Sequence, residues 1–75
     1  GILSVDAEGN FYIGDQIRSL EEVKAAISSS IRANPDLRVQ VRADQNTEYE
    51  AVRKLLKTAA EAGAYEIIYA TYESR

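Results

Sequence analysis

Cysteine and histidine are both missing from this 75-residue chain, and methionine and tryptophan are missing too. Without cysteine there is no disulfide framework and no thiolate nucleophile. Without histidine the chain lacks the commonest general base, the commonest zinc ligand and the usual pH switch. Proline occurs once and glycine four times, too few for a linker or a low-complexity segment. No apolar run approaches the ~20 residues that span a bilayer, and no charged segment followed by an apolar stretch marks a signal peptide. Basic residues are in deficit: nine Lys and Arg against twelve Asp and Glu leave a net charge of -3. Nucleic acid is therefore excluded as an expected partner, because its electrostatic footprint is a basic excess.

What remains is an ordinary globular composition, 45% hydrophobic and 28% charged, of a length that makes one domain spanning residues 1–75. "ILSVD" and "NFYIG" are short apolar runs separated by "DAEGN", whose Gly9 and Asn10 tolerate positive φ. They read as a β-hairpin, with "GDQIR" following as a loop or brief extended piece. "SLEE" is a capping box, Ser19 with Glu22, and Leu20, Val23, Ile27 and Ile31 continue at helical spacing until Pro35 ends the helix. "RVQVRA" alternates: Val39, Val41 and Ala43 face the core, and Arg38, Gln40 and Arg42 face water. "TEYE" reads as a second capping box, Thr47 with Glu50, opening a helix whose apolar stripe is Tyr49, Val52, Leu56 and Ala59, with Leu55 and Ala60 widening it. Glu50 and Lys54 are spaced as a helical ion pair. Gly63 is placed to close the helix in a left-handed conformation, and "YEIIYATY" is the final strand.

The order β-β-α-β-α-β predicts an α+β, two-layer sandwich with both helices on one face of a mixed sheet and the other face open. Matching the final strand to Val39 and Val41 sends Tyr65, Ile67 and Tyr69 inward, because Glu66 makes the opposite register uncomfortable. Ile68, Ala70 and Tyr72 then lie on the open face, a row that suits a partner surface. Tyr49 is expected in the core, and Tyr12 against the hairpin.

The acids of "VRADQNTEYE" read first as structure. Glu48 and Glu50 suit the positive end of a helix, and Asp44 suits an Asx turn. The segment has neither the central glycine nor the spacing of a calcium loop, and no phosphate loop or nucleophile–base pair occurs. No enzyme, metal or cofactor is expected.

With its elements placed, the chain resembles the periplasmic domain of the ExbD/TolR family, closer to ExbD. The likeness runs from "LSVDAEGNFYIG" through "SLEEV" to "VRADQNTEYEAVRKLLKTAAEAGAYEI", and its most specific piece is "RAD", then "YE", then a helix ending "EAG". Ile68 stands where family members commonly carry a small residue. The resemblance implies a periplasmic domain of a single-pass inner-membrane subunit whose transmembrane helix, with its proton-carrying acid, lies outside this chain. It implies an ExbB/TolQ-type motor partner, a TonB/TolA-type client energised by the proton-motive force, and a homodimer. The alternative it implies is a TolR-like peptidoglycan anchor. Ile68, Ala70 and Tyr72, with Arg38, Gln40 and Arg42, are the partner-binding candidates.

Overall fold

A computed structural model describes residues 2–73. The strands are β1 (Ile2–Val5), β2 (Phe11–Ile13), β3 (Gln16–Ile17), β4 (Val39–Asp44) and β5 (Ile67–Tyr72), and the helices are α1 (Leu20–Ala33) and α2 (Tyr49–Glu61). They form one mixed sheet in the order β3-β2-β1-β4-β5, antiparallel through the hairpin and parallel from β1 through β4 to β5. The brief extended piece after the hairpin is β3, which lies antiparallel to β2 at the far edge.

Alternation decides what each strand buries. Leu3 and Val5 align with Val41 and Ala43 and are almost wholly buried, as is Val39. The two helices cover this side. Val23 and Ile27 are the buried centre of α1, and Val52, Leu55 and Ala59 that of α2. Leu55, Val5, Val23 and Val41 are the largest fully enclosed side chains. Removing a buried leucine costs about 2–5 kcal/mol, a large share of the roughly 4–11 kcal/mol typical of a chain this size.

The ends of α1 are set locally. Ser19 Oγ accepts from the Glu22 amide at 3.1 Å, and the Glu22 carboxylate accepts from the Ser19 amide at 2.9 Å, the reciprocal capping box. Asn34, held extended by the following Pro35, ends the helix. At the end of α2, Gly63 takes φ 108 and donates to the Ala60 carbonyl, while Ala64 donates to the Ala59 carbonyl. That is a Schellman closure, reached at no steric penalty because the left-handed residue is glycine.

Four expectations are corrected. The Thr47–Glu50 capping box does not form: Glu48 is the N-cap residue and makes no side-chain cap bond. Thr47 has a single hydroxyl proton, and it goes to the Asp6 carbonyl at 3.0 Å, just beyond β1, with Val5 O at 3.4 Å. Glu50 turns to Arg53 at 3.2 Å rather than to Lys54. Tyr49 is 75% exposed, not core. At 3.6 residues per turn it lies about 120° around α2 from Leu55, off the buried stripe. Tyr65 and Tyr69 are also exposed, at 75% and 47%. Tyr65 precedes β5, and the helices lay most of their contacts on β1, β2 and β4, so Tyr69 keeps its predicted side but stays about half-exposed.

Three substitutions test this account by chemical denaturation. Ser19→Ala should lower unfolding stability by about 1 kcal/mol. Thr47→Ala should also destabilise, through the lost tie between the β4–α2 loop and β1. Thr47→Ser, which keeps the hydroxyl, should retain most of that stability, and a loss equal to that of Thr47→Ala would remove the hydroxyl tie from its role.

Candidate functional site: the open sheet face and the β5 edge

The side of the sheet away from the helices carries three bands of side chains, fixed by strand register. Ile2, Gln40 and Ile68 align across β1, β4 and β5. Next to them lies the row Ile17, Tyr12, Ser4, Arg42 and Ala70. At the C-terminal end of β4 and β5, Asp44 aligns with Tyr72. Ile2, Ile17 and Ile68 are 45%, 59% and 47% exposed on this face, with Gln40 between Ile2 and Ile68 and Ile17 at the β3 edge.

Of the sequence candidates, Gln40, Arg42, Ile68, Ala70 and Tyr72 share this face as expected. Arg38 stands just before β4, where its guanidinium pairs with Glu66 at 3.3 Å. It is therefore engaged at the entry to the sheet and separated in role from Arg42. Arg42 instead lies over the Tyr72 ring, 5.2 Å from its centroid, within the range of a cation–π contact. Ile2, Ser4, Tyr12 and Ile17 were not singled out in the sequence. The alternation of Ile2 and Ser4 with Leu3 and Val5 carried the signal for the first two, but the apolar run "ILSV" conceals its own parity. The two-residue β3 carried none for Ile17.

One end of the face is organised by acids that serve structure. Asp44 is buried, and its carboxylate accepts from the Asn46 amide at 2.8 Å, the expected Asx turn. Asp6 gathers the hairpin loop: it accepts from the amides of Glu8 and Asn10 at 3.1 and 2.8 Å, from the Asn10 side chain at 3.1 Å and from the Tyr12 hydroxyl at 2.8 Å. Partial burial works against the ionised carboxylate, but these donors together outweigh it and hold Asp6 below the usual carboxylate range. The same bond, with burial and the charges of Asp6 and Glu8, pushes the Tyr12 hydroxyl upward. Tyr72 is raised first by burial and then by the charges of Asp44 and Asp6, with Arg42 opposing.

The β5 edge is the other half of the site. β4 flanks one side of β5, and among the described residues no strand flanks the other. Val39 donates to the Glu66 carbonyl and Gln45 to the Tyr72 carbonyl, so the even-numbered residues of β5 turn their backbone groups toward β4. Backbone direction alternates along a strand of a parallel ladder. The N–H and C=O of Ile67, Tyr69 and Thr71 therefore point outward, an open template for another strand.

The family model described as Biopolymer transport protein ExbD/TolR matches residues 2–74. The chain belongs to the ExbD/TolR family. Among its relatives are the proteins named Biopolymer transport protein ExbD of Neisseria gonorrhoeae and of Neisseria meningitidis serogroup C, each 32% identical over 72 residues. The match covers 92% of this chain and 50% of each relative, so the chain spans about half the length of the curated ExbD proteins it matches. No helix among the described residues of this ExbD/TolR member is long and apolar enough to cross a membrane.

The Asp6 cluster generates a pH prediction. A carboxyl held low in the folded state contributes stability above its unfolded value, near 3.9, and loses that contribution as pH falls through the lower folded value. Asp6→Asn should cost about 1 kcal/mol at pH 7. The deficit relative to the parent should shrink below about pH 4. Urea titrations from pH 7 to 2.5 measure this, and a deficit that does not change with pH would remove Asp6 from its anchoring role.

Proposed function

We propose that residues 1–75 form a single periplasmic domain of an ExbD-like subunit in a proton-motive-force-driven inner-membrane motor. In this reading the domain makes no chemical change. It dimerises and docks a TonB/TolA-type protein by strand addition along β5, while a transmembrane helix elsewhere in the subunit meets an ExbB/TolQ-type partner. Membership of a biopolymer transport family supports the setting. The observation that carries the docking mode is the outward backbone of Ile67, Tyr69 and Thr71 on a strand whose two faces are both underfilled. Main-chain pairing would supply affinity, and Ile68, Ala70 and Tyr72 would set register from the open side.

A peptidoglycan anchor through Arg38, Gln40 and Arg42 is the second reading. The engagement of Arg38 by Glu66 weakens it, because a clamp of two free guanidinium groups is not what the face offers. Retention on isolated sacculi that is abolished by Arg38→Ala with Arg42→Ala would favour it over docking.

Proline separates the edge from the ladder. Thr71→Pro removes an outward N–H and leaves the β4 pairing intact, a placement that edge strands tolerate. It should leave the fold standing while weakening self-association, and binding of the TonB/TolA-type periplasmic segment, by on the order of tenfold or more. Ala70→Pro removes an inward N–H and should destabilise the domain itself. Sedimentation over a concentration series and peptide titration read both. Binding and self-association indifferent to Thr71→Pro would rule out strand addition at this edge.

A further inference from the structure

The open face holds a recess of about 320 Å³ lined by Ile2, Ser4, Gly14, Arg42 and Tyr72. Its chemistry is uneven. Arg42 is the cation, exposed and steadied over the Tyr72 ring. The ion pairs among the described residues are Arg38–Glu66 and Arg53–Glu50, so there Arg42 has no acidic partner. Ser4 sits beside it in register and offers a hydroxyl. Ile2 forms an aliphatic wall, 45% exposed. At Gly14 the recess stays open, for a side-chain carbon placed there would meet nothing within 4 Å.

We propose that this recess is a carboxylate subsite that takes an acidic side chain of an extended peptide lying on the open face. A guanidinium with a neighbouring hydroxyl satisfies one carboxylate, and the Ile2 wall suits the methylene stem of glutamate. Asp6, Glu8 and Asp44 lie toward the same end of the sheet and oppose any anion, a phosphate dianion about twice as strongly as a carboxylate, so the surroundings favour the singly charged group. A second copy of this chain, packed face to face about a two-fold axis through the middle band, would set Arg42 against Arg42. A chain-terminal carboxylate fits less well, because an extended peptide crossing the open face runs past the recess instead of ending in it. The natural ligand rests on the docking reading above; the anion chemistry of the recess does not.

Capped single amino acids test the subsite without strand addition, since they are too short to pair with β5. The isotopically labelled chain is titrated at about 0.15 M salt with N-acetylglutamate N-methylamide, and separately with the neutral glutamine counterpart, N-acetylalanine and methyl phosphate. The amides of Ser4, Gly14 and Arg42 should shift saturably with the glutamate compound. Its binding should exceed that of the glutamine compound by on the order of fivefold, the yield of one exposed charge pair. Arg42→Gln, a change at an exposed strand position, should erase that preference, while Arg42→Lys should keep part of it. Equal binding of the acid and its amide, or a preference that survives Arg42→Gln, overturns the proposal. Tighter binding of N-acetylalanine or methyl phosphate overturns the choice of a side-chain carboxylate. Loss of acid preference with Thr71→Pro still blocking partner binding would remove the subsite alone, and the reverse pattern would remove strand docking alone.

Discussion

The domain depends on one core, in which Leu55 of α2, Val23 of α1 and Val5 and Val41 of β1 and β4 are fully enclosed in a single cluster. These side chains are the largest fully enclosed ones, and they lie where β1 and β4 run parallel. A parallel pair needs a crossover and is normally shielded, and here the helices supply that shield to the middle of the sheet. The cover does not extend to β5. Ile67 reaches the core, but Tyr69 and Thr71 continue beyond helical shelter. The exposed edge is thus a result of where the core is tightest, not a defect of the final strand.

The ends of the central strands are tied by polar groups rather than by apolar ones. Thr47 bonds back to Asp6, Asp44 holds the turn into α2, and Asp6 organises the hairpin loop and the Tyr12 hydroxyl. No buried side-chain polar atom among the described residues is left without a partner. In a chain with so small a core this matters, because a single buried orphan costs about 1–3 kcal/mol. The acids that first resembled a reactive cluster are therefore spent on geometry, which leaves Arg42 as the unmatched charge near the centre of the open face.

The sequence made legible what local rules determine. The Ser19–Glu22 box needs only residues within one helical turn, and Gly63 was readable because a left-handed cap favours glycine. The two-residue period of β4 and β5 suffices to place Gln40, Arg42, Ile68, Ala70 and Tyr72 on one face. Misreadings arose where a distant partner decided the outcome. Thr47 could cap α2, but a carbonyl 41 positions earlier in the chain takes its proton. Tyr69 has the inward parity, yet burial depends on what covers that side, and it stays 47% exposed, while Tyr49 lies off the buried stripe of α2. Ile2 and Ile17 acquired significance only when strand order assembled them on the face that holds Arg42.

The parallel alignment of β4 and β5 has a mechanical corollary. A tug on β5 along its own length would load the whole ladder in shear, every bond sharing the strain at once. A pull away from the edge would open the same bonds in turn, like a zipper. A cargo fastened beside β5 would thus be held most firmly against tension directed along the strand, and could be shed by peeling.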